Sequence, residues 1–292
     1  MPMTHHCLCA ALAVALISCA TPTTLHRGAE TAASPALTVG FATADFGTAK
    51  AAGYDFAEVR IREFMKLSDA AFEKYAADCS DIGLPLTTAY WLFPADMKVV
   101  GPGVQPEQVR NYLIKALDRG RRLGVKFVVW GSGDSRRAPE GFSRDEAFAQ
   151  LVALGKFLAP EAQKRDMVIV AEPLRKQEAN TITSSADGLR WVEAVSHPNF
   201  QLVLDLYHMS EEGEDARFIV KAGPHIAHMH MSNPVGRVLP MRADEFDYTP
   251  FFTALREIGY RGTMTVETAA VDIPRDGAKS IAFIRSAYAA PR

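Results

Sequence analysis

Residues 167–172 read M-V-I-V-A-E, five apolar residues in succession that run directly into a glutamate. A strand with one face in water alternates apolar and polar side chains, so an unbroken apolar run indicates a strand buried on both faces, as in a parallel sheet covered by helices. Parallel α/β folds place their functional groups at the carboxyl ends of such strands. This segment therefore predicts a parallel sheet and a candidate functional acid, Glu172.

The same alternation of a short apolar run and a longer helical pattern repeats from Ala36 onwards. Eight runs predict strands: Leu37–Phe41, Phe56–Ile61, Leu86–Tyr90, Lys126–Trp130, Met167–Ala171, Gln201–Leu206, Ile226–Met231 and Thr263–Glu267. Helical patterns follow most of them: a short one around Thr48–Tyr54, then Asp69–Ile82, Pro106–Leu123, Arg144–Lys164, Ser184–Val195, Ala216–Ala222, Pro250–Ile258 and Gly277–Ala289. Eight such units in about 250 residues predict a single (β/α)₈ TIM barrel over residues 36–292.

A doubly wound open sheet is the alternative architecture for an α/β chain. Such sheets usually open with a glycine-rich turn after the first strand. Here the first predicted strand is followed by A-T-A-D at 42–45, which contains no glycine. The barrel is therefore favoured.

The first 35 residues predict export. Residues 7–19 are small and apolar but too few to span a bilayer, as in the hydrophobic region of a secretory signal. They end in L-I-S-C at 16–19, which resembles the bacterial lipobox and predicts a signal peptide over 1–19 with a lipid anchor on Cys19. Residues 20–35, rich in Thr, Ala and Ser, predict a tether. The expected location is the periplasmic side of a bacterial membrane; a plain cleaved signal, giving a soluble periplasmic protein, and a buried amino-terminal helix remain open.

Composition excludes some classes of partner. The chain has 292 residues, a formal net charge of −2 and 48% hydrophobic residues, which is ordinary for a globular protein. A nucleic-acid partner would require a basic surface, so none is expected. The membrane is expected to contact only the lipid anchor, and whether the chain forms a homo-oligomer stays open.

Four consecutive strand ends carry residues able to bind a metal. They are Glu172, Asp205, His230 and Glu267, separated by 33, 25 and 37 residues, or about one strand–helix unit each. An acid at a strand end can also cap the next helix, but four aligned ends make coincidence a poor explanation. Three carboxylates and one imidazole suit one divalent ion, Mn²⁺ first and Mg²⁺ or Co²⁺ as alternatives.

Several motifs together resemble the xylose isomerase-like barrel superfamily, in the branch of sugar phosphate isomerases and epimerases. They are A-E-P-L-R-K-Q-E-A-N (171–180), L-D-L-Y-H-M (204–209), H-M-H-M-S-N (228–233), T-V-E-T (265–268) and, earlier, G-Y-D-F-A-E (53–58). That branch includes ketose 3-epimerases, hydroxypyruvate isomerase and inosose dehydratase. The similarity covers nearly the whole chain after residue 36.

The resemblance implies roles for individual residues. It makes Glu172, Asp205, His230 and Glu267 the metal ligands. Glu172 and Glu267 would also be the proton-transfer pair, and His208 and Arg237 would bind substrate oxygens. For Arg237, a solvated loop arginine is an equal alternative, and His228 is expected to be a packed residue behind the ligands.

The expected reaction is the movement of a proton next to the carbonyl of a keto-sugar, through an enediolate. Returning the proton to the other face is epimerisation, and returning it to the neighbouring carbon is isomerisation. Expelling a β-oxygen instead would make the protein a lyase or dehydratase acting on a keto-sugar or keto-glycoside. A sugar-binding lipoprotein without catalysis is a further alternative, although a binder does not need two glutamates beside a metal.

Aromatic residues after the third and fourth strands offer a wall for the sugar ring. Trp91, Phe93 and Trp130 have the necessary apolar surface, and Trp130 is taken as the substrate-binding candidate. Packing in the core is the alternative for each of them. A multi-metal phosphodiesterase is not expected, because the sequence has no histidine between His26 and His197.

Overall fold

Eight parallel strands close into a barrel, in chain order around the ring. The computed structural model describes residues 37–269 and 271–290. The first strand pairs with both the second and the eighth, which closes the sheet. The single (β/α)₈ barrel predicted from the sequence is therefore confirmed.

The strands are four to six residues long, except for the third, which has three. They are β1 Thr38–Ala42, β2 Phe56–Arg60, β3 Thr88–Tyr90, β4 Phe127–Trp130, β5 Val168–Ala171, β6 Phe200–Asp205, β7 Ile226–Met231 and β8 Thr263–Val266. All eight predicted strands are present, with ends that differ by one or two residues.

Helices surround the barrel. They are α1 Phe46–Ala51, α2 Ile61–Phe64, α3 Asp69–Ile82, α4 Pro106–Leu123, α5 Arg144–Gln163, α6 Ser185–Val195, α7 Leu206–Glu211, α8 Phe218–Ala222, α9 Thr249–Glu257 and α10 Ile273–Ala289, with a 3₁₀ turn at Gly223–His225. The helical patterns in the sequence did not predict α2 and α7. Each is only one or two turns long, so neither shows a helical period, and both begin directly at a strand end.

The main apolar core lies between the sheet and the helices and includes residues from every strand. A smaller apolar cluster within the barrel is built on Tyr90, Val129, Val170 and Val203. Polar side chains share the barrel interior, where Thr88 and Thr265 place their hydroxyl oxygens 3.5 Å apart. The interior is therefore filled by side chains, as expected of a barrel of eight strands.

The predicted signal peptide, lipobox and tether lie outside the described residues and stay predictions. Within the described part of the chain, no helix combines the length and apolar character that crossing a membrane requires.

Candidate active site

The carboxyl ends of β5 to β8 bring the four predicted ligands together. Glu172 directly follows β5, Asp205 ends β6, His230 lies near the end of β7, and Glu267 directly follows β8. Because these strands are neighbours in the ring, their carboxyl ends meet on one side of the barrel mouth. One potential ligand atom of each residue lies within 4.8 Å of those of the other three.

His230 stands at the centre of this cluster. Its Nδ1 lies 3.2 Å from Glu172 Oε1 and 3.3 Å from Glu267 Oε2, while its Nε2 lies 3.2 Å from Glu58 Oε2. Burial alone would lower the pKa of His230, but the three surrounding carboxylates, led by Glu58, raise it well above its usual range. The imidazole is therefore cationic when no metal ion is bound.

The cluster has the properties of a site for one divalent cation. Glu172 Oε1, Asp205 Oδ2 and His230 Nδ1 are buried and have no hydrogen-bonding partner of acceptable geometry. Such atoms are costly unless something compensates them. Bonds of about 2.0–2.3 Å to a shared ion place ligand atoms roughly 3–4.5 Å apart. The residues present therefore fit the ion that their chemistry predicts.

Asp205 uses its two oxygens for different purposes. Its Oδ1 accepts a hydrogen bond of 2.9 Å from the backbone N–H of Tyr207 and so caps α7. Its Oδ2 points into the cluster, 3.6 Å from His208 Nε2. Burial raises the pKa of Asp205 to about 7, against the opposing effect of Arg237. The Asp205 carboxylate thus caps a helix with one oxygen and offers the other to the candidate metal site.

His208 lies in α7 with its ring at the edge of the cluster. Its Nδ1 accepts a hydrogen bond of 3.3 Å from the backbone N–H of Arg175, so the ring hydrogen belongs on Nε2. Burial, assisted by Arg237, lowers the pKa of His208 to about 3. The residue is therefore a neutral donor that lines the pocket.

Arg237 reaches the cluster from the loop after β7. A bridge between Asn233 and Val238 turns this loop back on itself, with φ of 84° at Gly236 and 50° at Arg237. The guanidinium Nη2 lies 3.1 Å from Glu267 Oε2, and only 21% of the side chain is exposed. The structure thus places Arg237 in the pocket, and not in the solvated loop position held open as the alternative.

Glu58 was not recognised as a site residue from the sequence. It is wholly buried on β2 and faces the Nε2 of His230, so it orients that imidazole from behind. A carboxylate behind a ligating histidine fixes the tautomer and strengthens the ligand. The available signal was an acid inside the apolar run F-A-E-V at 56–59.

His228 occupies the layer below His230, as expected for a packed residue. Its Nδ1 lies 2.7 Å from the hydroxyl of Thr263 and its Nε2 lies 3.1 Å from that of Thr265. Burial lowers its pKa well below the usual range. With both ring nitrogens beside threonine hydroxyls, His228 packs in the barrel interior.

The expectation that Trp130 contacts substrate is corrected by the structure. Trp130 is fully buried, and its ring packs 4.6 Å from that of Trp191 and 6.2 Å from that of Phe200. The alternation of side chains along β4 turns Trp130 towards the helices and away from the barrel mouth. The other two aromatic candidates, Trp91 and Phe93, do line the pocket.

The pocket above the cluster has a volume of about 370 Å³. This is within the usual range for small-molecule sites. The profile of the xylose isomerase-like TIM barrel family matches residues 46–287. The chain belongs to that family. The match runs from the start of α1 into α10 and so includes β2 to β8 and the four residues of the cluster.

The chain is also similar in sequence to individual sugar epimerases and isomerases. The chain is 27% identical over 226 residues to an L-ribulose 3-epimerase of Methylomonas sp. (strain DH-1), covering 76% of each chain. It is 25% identical over 169 residues to the hydroxypyruvate isomerase of Escherichia coli (strain K12), covering 57% of this chain and 64% of the relative.

A solved structure agrees with the fold. The D-allulose 3-epimerase from Methylomonas sp., in complex with D-allulose, superposes with a TM-score of 0.74 at 24% identity, covering 87% of this chain and 98% of that one.

Proposed function

We propose that the protein is a metal-dependent epimerase of a keto-sugar. The observation that carries this is the position of Glu172 and Glu267, which approach the same nitrogen of His230 at 3.2 and 3.3 Å from two different strand ends. Two carboxylates that share one small site can act on one carbon from different directions. The relatives, which are sugar epimerases and isomerases, support an enzyme that acts on sugars.

Glu172, Asp205, His230 and Glu267 would hold the cation, with Mn²⁺ proposed first for this donor set. When bound, such an ion supplies positive charge that stabilises negative charge developing on substrate oxygens. Glu58 lies beside the Nε2 of His230, so Nδ1 faces Glu172 and Glu267, where the cation would bind.

The two glutamates differ in basicity. Burial raises the pKa of Glu172. For Glu267, burial acts in the same direction, but His230 and Arg237 outweigh it and hold the pKa well below its usual range. In the metal-free cluster Glu267 is therefore ionised, while burial favours a proton on Glu172. Epimerisation requires two such groups, with one removing the proton and the other supplying it to the opposite face.

His208 and Arg237 complete the pocket around the substrate. The neutral His208 offers an Nε2–H donor, and Arg237 offers further N–H donors beside Glu267. Both can hold the hydroxyl and carbonyl oxygens next to the reacting carbon. Such positioning reduces the entropy that must be lost on reaching the transition state.

The test is exchange of the α-proton of free keto-sugars with D₂O, followed by NMR on Mn²⁺-loaded protein. Positioned acid–base groups contribute about 10²- to 10⁴-fold in rate, so Glu172→Gln and Glu267→Gln should each lose at least 10²-fold. Glu193→Gln, an exposed change on α6, is the matched control and should keep full activity. Metal content is measured on every sample, because loss of the ion would mimic loss of a base.

Other outcomes point to other functions. A product that has lost water or an alcohol would identify a lyase. Sugar binding without any exchange by the metal-loaded protein would overturn the proposal in favour of a binding protein.

A further inference from the structure

Arg62 and Trp91 form a part of the pocket that the proposed chemistry does not use. Arg62 follows β2 and Trp91 follows β3, so they stand across the barrel mouth from the ends of β6 and β7. Both line the same cavity as Glu172, His208, Arg237 and Glu267. A substrate held at the glutamates can therefore extend to Arg62.

Trp91 has a strained backbone. Its φ is 54°, in the left-handed region that bulky residues rarely adopt. Strain of this kind persists at functional sites where the surroundings over-determine the conformation. Here the result is that the indole turns into the pocket mouth, where it provides a flat support.

The support holds two guanidinium groups. The Cζ of Arg62 lies 3.4 Å from the centre of the indole, and that of Arg60 lies 4.8 Å from it. Arg60 already has a partner within the protein, since its Nε donates a hydrogen bond of 2.7 Å to the hydroxyl of Tyr90. Stacking on an aromatic face restrains a guanidinium and leaves the N–H groups at its edge free. Arg62 is thus an oriented donor.

The charge of Arg62 is incompletely compensated. Its ion pair within the described residues is with the adjacent Glu63, whose Oε1 lies 3.6 Å from Nε, so both terminal nitrogens remain available. Arg137, which also lines the pocket, donates to the backbone carbonyl of Glu178. Arg237, by contrast, faces three carboxylates. Asp134 also lines the pocket, but among the described residues it forms no ion pair with Arg62 or Arg137. The far side of the pocket therefore offers guanidinium nitrogens that no carboxylate occupies.

We propose that Arg62, supported by Trp91, binds a carboxylate at the end of the substrate farthest from the reacting carbon. The preferred substrates are then keto-sugar acids, and neutral ketoses are poorer ones. This inference rests on the proposed function. A planar guanidinium can donate two parallel hydrogen bonds to the two oxygens of a carboxylate, which also neutralises its charge. A neutral hydroxyl accepts a hydrogen bond but does not neutralise the charge of the guanidinium.

The experiment compares D-fructuronate with D-fructose, which differ only in the carboxylate at C6. Solvent exchange of the α-proton is measured for both on the Mn²⁺-loaded full chain. Hydrogen bonds between charged groups contribute about 1.5–3 kcal/mol, so kcat/KM should favour the acid roughly 10- to 100-fold. Arg62→Met should reduce that ratio to about 2-fold or less, and Arg62→Lys should restore part of it.

Arg121→Met is the matched control. It removes the same charge from the exposed last turn of α4, at the opposite end of the barrel, and should leave the ratio unchanged. A ratio near one in the wild type, or the same ratio in Arg62→Met, would overturn the inference. A stronger preference for D-fructose 6-phosphate than for the acid would also overturn it, in favour of a phosphate.

Failure of the proposed function would look different. If neither sugar exchanges its proton, the binding of both is measured by calorimetry on the metal-loaded protein. Tighter binding of the acid, lost in Arg62→Met, would uphold the carboxylate site without catalysis, and equal binding would refute it.

Discussion

Glu58 is a single residue whose position gives it influence over the whole cluster. It contributes no ligand atom to the four-residue group, yet it is the partner of His230 on the side away from that group. A carboxylate there makes the imidazole a stronger ligand and prevents it from rotating. Partners of this kind typically change metal affinity by about 10- to 100-fold.

We therefore expect Glu58→Gln to weaken Mn²⁺ binding by roughly 10- to 100-fold while the protein stays folded. Glutamine keeps the size and one acceptor oxygen but loses the charge. Calorimetric titration with Mn²⁺ measures the effect, and Glu257→Gln, an exposed change at the end of α9, is the control. Unchanged affinity in Glu58→Gln would show that Glu58 is only a packed acid.

The loop that follows β4 shows how a connection between elements positions the site. Gly131 is the first residue after that strand, and a β-carbon built on it would overlap the carboxylate oxygen of Glu172. The buried Arg136, farther along the same loop, donates a hydrogen bond of 2.7 Å to the backbone carbonyl of Glu172. The end of β5 is thus held by the neighbouring loop on two sides.

Gly131→Ala should therefore displace the Glu172 carboxylate and lower both Mn²⁺ affinity and proton exchange by at least 10-fold. Gly103→Ala is the matched control, because a β-carbon there meets nothing within 4 Å. Metal titration and the D₂O exchange assay are run on both variants. If Gly131→Ala behaves like Gly103→Ala, the close approach of this loop has no part in placing the carboxylate.

A metal ion in the cluster would link four successive strands of the barrel, because each strand end contributes one of the four candidate ligands. Its binding should therefore stabilise the folded state as a whole. An ion bound only by the folded state stabilises it by about 2.7 kcal/mol at 100 times its Kd. At about 2–4 °C per kcal/mol for a chain of this size, Mn²⁺ should raise the melting temperature by roughly 5–10 °C.

The increase in melting temperature caused by Mn²⁺ should be smaller at pH 6 than at pH 8. The ion must displace the proton of His230, whose pKa is raised without metal, and Asp205, with a pKa of about 7, competes in the same way. Affinity therefore falls as the pH falls. Differential scanning calorimetry with Mn²⁺ and with EDTA measures this, and His230→Asn should show little rise at either pH. An equal rise in that variant would place the ion elsewhere.

The sequence by itself determined the barrel and its candidate metal ligands. Continuous apolar runs predicted the buried parallel strands, and acids or histidine at the ends of four of them identified Glu172, Asp205, His230 and Glu267 as candidates. These features are local, because the two-fold alternation of a strand and its end can be read from adjacent residues. For the same reason, the motifs quoted at 171–180 and 228–233 were sufficient to indicate the family.

Only the tertiary structure decided which side chains share a space. Glu58 lies 172 residues from His230 in the chain, and no local pattern predicts that pairing. Trp130 was chosen over Trp91 as the aromatic candidate from the sequence, yet the direction of β4 buries Trp130, and a strained backbone turns Trp91 into the pocket. Such outcomes depend on ring closure and on packing between distant segments, so the physical information that determines them is not contained in any short stretch of the chain.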